Sequence, residues 1–138
     1  PKAAVRTHGF LLTQHRVRFI ALAGFMRILS PAFVRRYRWR ILNIHPSLLP
    51  AFPGVDAQRQ AWEHGVMISG ATVHLVDDSL DGGPIVRQEA LAVLASDTPE
   101  SLAARILEIE HRIYPEAIAD VLQGGWRIEG RRFIAAGG

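Results

Sequence analysis

Residues 17–23 read Val-Arg-Phe-Ile-Ala-Leu-Ala, apolar at almost every position. A strand with one wet face alternates, so a run this uniform suits a strand covered on both faces, as in a parallel sheet flanked by helices. The following residues fit that arrangement. Residues 24–29 make a loop, and Ser30-Pro31 carries the N-cap and N1 signature of a short helix reaching about Arg36. Residues 41–45, Ile-Leu-Asn-Ile-His, then form a second strand, which runs into the proline-punctuated loop Pro-Ser-Leu-Leu-Pro. Strand, helix, strand in this order predicts an α/β sheet. Ligands of such sheets sit beyond the C-terminal strand ends, here the loops 24–29 and 45–54.

The rest of the chain continues the alternation. Residues 55–64 predict a helix stopped by Gly65. Residues 67–76 predict a strand with Val73 and Leu75 on one face and Thr72, His74 and Val76 on the other. Residues 77–84, Asp-Asp-Ser-Leu-Asp-Gly-Gly-Pro, are a loop, and 85–93 a further strand. Thr98-Pro99 repeats the helix-start signature. The helix it opens runs to about Leu122, with Leu102, Ile106, Ile109, Ile113, Ala117 and Val121 on one apolar face, and Gly124-Gly125 ends it. Residues 126–128 and 131–134 predict a hairpin around Glu129-Gly130. Residues 1–15, broken by Gly9, have no regular pattern, and no internal repeat is present.

Composition narrows the function classes. The 138 residues predict one domain, and none is cysteine, which removes disulfides, thiolate nucleophiles and cysteine-held metals. No apolar run approaches the ~20 residues of a membrane span, and residues 1–8 lack a signal-peptide core. The expectation is a cytoplasmic protein without a membrane partner. The net charge of +3 favours anionic ligands but is modest for a nucleic-acid binder, so no nucleic acid is expected. Much of that charge lies in residues 35–40, Arg-Arg-Tyr-Arg-Trp-Arg, best read as a solvated helix end and turn.

Two polar side chains stand out on the second strand. Asn43 and His45 are two residues apart, so an amide and an imidazole face the same space at a strand end. Acyl transfer needs an oxyanion stabiliser and a group that moves a proton near neutral pH. A carboxylate beside the histidine, for which Asp81 is the candidate, would orient it and favour the imidazolium. No serine or cysteine nucleophile is needed where the substrate brings its own amine. Each residue also has an ordinary structural role. Asn at a strand end bonds backbone, His before Pro caps a turn, and Asp81-Gly82-Gly83 is first a turn signal. His74 suits a hydrogen-bonded structural position, and His64 a helix C-terminus. His45, His74 and Asp81 could in principle hold zinc, but no close-spaced ligand pair supports it, and no metal is expected.

At these residues the chain resembles the phosphoribosylglycinamide formyltransferases. The resemblance rests on residues 21–30 (Ala-Leu-Ala-Gly-Phe-Met-Arg-Ile-Leu-Ser), 42–50 (Leu-Asn-Ile-His-Pro-Ser-Leu-Leu-Pro), 70–76 (Gly-Ala-Thr-Val-His-Leu-Val), 80–85 (Leu-Asp-Gly-Gly-Pro-Ile) and 110–115 (Glu-His-Arg-Ile-Tyr-Pro). It implies a formyltransferase-type, Rossmann-like sheet with flanking helices. It also implies transfer of formyl from formyl-tetrahydrofolate, a co-substrate, to the amine of glycinamide ribonucleotide in purine synthesis. By the same resemblance Asn43, His45 and Asp81 are catalytic. Folate is held by Met26, Arg27, Ile28, Leu29, Asn43, Val76, Asp77, Asp78, Ser79, Leu80 and Asp81. The nucleotide substrate is met by Gly24, Met26 and Glu110.

The family opens with a strand and a Gly-rich phosphate loop, which have no counterpart here. Residues 1–138 are therefore expected to be the C-terminal portion of the catalytic domain, lacking the first βαβ units, from a shortened chain or half of a split protein. The strand at 17–23 would then have a bare edge, through which self-association is expected. Two further readings compete. A formyl-tetrahydrofolate hydrolase usually has a second histidine after the catalytic one, where this chain has Pro46. A folate-binding remnant would bind without turnover.

Overall fold

A computed structural model describes residues 19–23 and 29–137. Among the described residues six strands form one sheet: β1 (Ile20–Ala23), β2 (Ile41–His45), β3 (Ile68–Leu75), β4 (Ile85–Ala92), β5 (Arg127–Glu129) and β6 (Arg132–Ile134). Their spatial order is β1-β2-β3-β4-β6-β5. The helices are α1 (Pro31–Arg36), α2 (Ala57–His64) and α3 (Pro99–Gln123).

Local chemistry sets the helix starts. Ser30 Oγ accepts the Phe33 N–H at 3.0 Å, and Pro31 supplies the preset φ of the first turn. Thr98 and Ser101 exchange side-chain and backbone hydrogen bonds in a capping box before α3. Helix α2 begins two residues later than its sequence pattern predicts. Asp56 adopts a left-handed φ of 54°, and helical geometry starts only after it. Gly65, also left-handed, ends α2 as expected.

The sheet is mixed. Strands β1 and β2 are parallel, as the apolar runs predict, but β2–β3 and β3–β4 are antiparallel. The loop between β3 and β4 is too short for a crossover, so the chain must turn back. The hairpin at Gly130 forms, and β6 joins the sheet beside β4 in parallel, a placement with no local sequence signal.

Two apolar layers sandwich the sheet. On one face Leu42, Ile44, Ala71, Val73 and Leu75 pack against the stripe Leu102, Ile106, Ile109, Ile113, Ala117 and Val121 of α3. Each large side chain there contributes about 1.5–3 kcal/mol. On the other face Ile41, Leu22 and Val76 pack against Phe33, Val34 and Tyr37 of α1 and its C-cap. Arg35, Arg36, Arg38 and Arg40 are exposed, which agrees with a solvated helix end. No helix among the described residues is long and apolar enough to cross a membrane.

Candidate active site

Strand register brings the polar side chains together. Asn43 lies opposite His74, and His45 opposite Thr72. These four share the α1 face of the sheet, while Leu42, Ile44 and Val73 point into the α3 core. A β-bulge between Val73 and His74 shifts the pairing with β4 by one residue. Such bulges re-aim side chains and favour functional edges.

The loop after β3 closes the site. It leaves beside the start of β2, where the Val76 N–H donates to Ile41 O at 2.8 Å. It then returns so that Asp81, buried and held at a φ of 54°, meets both histidines. Asp81 Oδ2 lies 3.6 Å from His45 Nδ1, and Oδ1 lies 3.8 Å from His74 Nε2. Oδ2 also accepts the Gly54 N–H at 2.8 Å, which ties the loop after β2 to the loop after β3.

The two imidazoles are committed differently. His45 Nε2–H donates to the Phe52 carbonyl at 2.7 Å. Its Nδ1 therefore faces the carboxylate at a separation wider than a hydrogen bond. His74 Nδ1–H donates to Leu75 O at 3.0 Å, so the neutral ring presents its Nε2 lone pair to the Asn43 amide, 3.4 Å away. Burial lowers the His74 pKa, against the opposing effects of the Leu75 carbonyl and Asp81. The folded protein thus keeps this ring neutral, and the neutral ring orients the Asn43 amide with its nitrogen inward.

This sets a pH dependence. Below about pH 6.5 the unfolded ring gains a proton that the folded ring still refuses. The stability that His74 contributes is complete above that pH and is lost as pH falls toward the lowered folded value. The unfolding free energy of the parent, from urea titrations, should fall between pH 7 and 5 more steeply than that of His74→Gln, by up to about 1.4 kcal/mol per pH unit in that window. Parallel curves would remove this assignment.

Leu29, Val76, Asp77, Asp78, Ser79 and Leu80, implied in folate binding, line one cavity of about 150 Å³ with Pro31 and Val34. Its walls are apolar from Val34, Val76 and Leu29, with a polar rim of backbone and Asp77–Ser79. That suits a flat heteroaromatic ring with polar edges. Gly24, Met26, Arg27 and Ile28 lie outside the described residues.

Glu110 does not join the Asn43–His45–Asp81 group. It sits on α3, across the sheet, in a cavity of about 520 Å³ that also meets Ala23, Ile44, His111 and Tyr114. Ile44 is the residue between Asn43 and His45, so the two regions flank one strand end. Burial holds the Glu110 carboxyl above the usual range, opposed by His111. The Tyr114 hydroxyl donates to the Leu22 and Leu42 carbonyls, and burial raises its pKa.

Residues 6–118 match the formyl transferase family. The chain belongs to that family. It is 48% identical to phosphoribosylglycinamide formyltransferase of Bacillus subtilis (strain 168) over 111 residues, which are 80% of this chain and 57% of that protein. The structure of glycinamide ribonucleotide transformylase 1 from Symbiobacterium toebii aligns with a TM-score of 0.88 at 52% identity, covering 92% of this chain and 60% of that one. A formyltetrahydrofolate deformylase from Pseudomonas syringae pv. tomato aligns with a TM-score of 0.89 at 29% identity, covering 97% and 45%. The chain thus spans about half the length of these relatives. The α/β sheet with flanking helices is the family's fold.

Side-chain identity singles out Asn43 and His45, and the family resemblance adds Asp81. It does not single out the Phe52 carbonyl or the Gly54 N–H, which act through the backbone. His74 is distinguishable by its place on the Thr72–Val76 face, once that face is known to oppose Asn43.

Proposed function

We propose that this chain carries the reacting centre for transfer of a formyl group from formyl-tetrahydrofolate to the amine of glycinamide ribonucleotide. The observation that carries the reading is the buried convergence of Asn43, His45 and Asp81 at the end of β2. It is supported by relatives whose names state that activity, at about half of whose length this chain aligns.

In this reading the folate ring enters the cavity of Leu29, Val34, Val76 and residues 77–80 and supplies the formyl carbon. The glycinamide amine approaches from the Glu110 side, where the half-buried carboxyl attracts it. Attack on the formyl carbon puts negative charge on its oxygen. The Asn43 amide, oriented by neutral His74, donates to that oxygen. His45 donates through Nδ1, because Nε2 is held by Phe52 O. The same nitrogen passes a proton to the departing folate nitrogen, and Asp81 stabilises the charged ring. The attacking amine gives one proton to the Nδ1 so vacated, which restores the charged ring, and the formamide product and the folate leave neutral at the reacting atoms.

Mixing the chain with glycinamide ribonucleotide and the folate donor tests this. Amine-dependent formylation supports it. Folate release without amine supports hydrolysis instead, and binding without turnover supports a remnant. Asp81→Asn keeps an acceptor for Gly54 but removes the charge. It should lower kcat on the order of a hundredfold with little change in folate KM, and unchanged turnover would sink the role of Asp81.

A further inference from the structure

We infer that Ser47 and Gln88 are positioning residues for His45, acting through the Phe52 carbonyl. The inference rests on the reading of His45 as the proton-moving group, and it concerns which of its nitrogens is free to do that work.

The Phe52 carbonyl would not stay at His45 Nε2 unaided. Phe52 has a φ of 52°, a conformation uncommon for a bulky residue, so the turn that presents it must be held from outside. Ser47, fully buried, supplies the nearest hold. Its hydroxyl donates to Ala51 O at 2.6 Å and lies 3.3 Å from Phe52 O.

Ser47 is fixed in turn from the sheet. Thr72 Oγ1 donates to Ser47 O at 2.7 Å and accepts the Leu49 N–H at 3.1 Å. Gln88, the cross-strand neighbour of Thr72, donates through Nε2 to Thr72 Oγ1 at 3.1 Å and to Leu49 O at 2.9 Å. Thr72 Oγ1 thereby uses its one donor and both acceptors. The chain of bonds runs from Gln88 on β4, through Thr72 on β3, to the 47–52 turn and ends at the imidazole. Their bonds converge on the 47–52 turn, so their influence reaches the site through the Phe52 carbonyl and His45.

The consequence is a tautomer choice. A carbonyl fixed at Nε2 places the proton of the neutral ring there and leaves Nδ1 directed at Asp81 and the reacting atoms. A loosened turn lets the ring exchange tautomers and lose that direction. This is the role a third group has in orienting a catalytic imidazole.

The test uses ¹⁵N-labelled parent, Ser47→Ala and Gln88→Leu, with His45→Gln to assign the ring signals. The neutral ring of the parent should show the proton on Nε2. Both variants should show tautomer averaging, and kcat should fall about tenfold, as one lost buried hydrogen bond implies, with folate KM within about twofold. Gln88 is an exposed residue, so its variant serves if Ser47→Ala does not fold. A Nδ1–H parent ring, or variants with the parent's tautomer and kcat, would overturn the inference. The nitrogen signals need no substrate, so failure of the parent to transfer formyl rejects the proposed function while the tautomer result still decides this inference.

Discussion

Formyl transfer should fall by about 10²–10⁴ in His45→Ala, the range that a positioned acid–base group contributes. Folate-analogue affinity should change little, because the cavity at residues 76–80 is lined by none of the imidazole's atoms. The variant loses one hydrogen bond, to Phe52 O, and leaves that buried carbonyl with the weaker reach of Ser47 Oγ. The expected stability loss is about 1–3 kcal/mol, too little to unfold a protein of ordinary stability. Calorimetric titration beside steady-state kinetics separates the two effects. Parallel loss of binding and turnover would mean that His45 serves the architecture of the cavity at residues 76–80. Unchanged turnover would place the proton transfer elsewhere.

The second large effect is structural. In Gly83→Ala the added Cβ would lie 1.7 Å from the Leu75 carbonyl oxygen and 2.8 Å from its carbon. Both are backbone atoms of a central strand, so neither can rotate away. The Leu75 N–H also donates to Pro84 O at 2.8 Å, which pins the two segments at this crossing. The loop must therefore lift off, and Asp81, two residues earlier, goes with it. Overpacking of this kind costs about 1–3 kcal/mol or more, with turnover falling alongside. Gly65→Ala is the control, since no atom lies within 4 Å of its Cβ and only the positive φ opposes it. Its cost should be about 1–2 kcal/mol with the site intact. Equal urea midpoints for Gly83→Ala and the parent would show that the crossing is looser than its geometry implies.

Asn43 and His45 were legible because the pleat of a strand is local: residues two apart must share a face. The apolar stripe of α3 was legible for the same reason, through helical periodicity. Asp81 is different. Nothing between residues 45 and 81 states that the second loop folds back over the first. Its assignment came from family resemblance, and the structure supplies the physical link through Gly54 and His45. Strand direction was half legible. The short 77–84 loop demands an antiparallel return, but the pairing of β6 with β4 depends on which edge is left open. Residues 76–80, to which the resemblance assigns folate, line one cavity together. Glu110 shows the limit of a linear reading: it is close to the strand end in space, yet across the sheet from the imidazole.

The loop after β2 reaches the site only as main chain, through the Phe52 carbonyl and the Gly54 N–H. Ala51, Pro53 and Val55, around those groups, turn their side chains to solvent. At those three positions chemistry reads torsion angles and is blind to the letters. Those three positions can drift under selection on shape alone, whereas Ser47, earlier in the same loop, is held to its identity by the bonds that fix that shape.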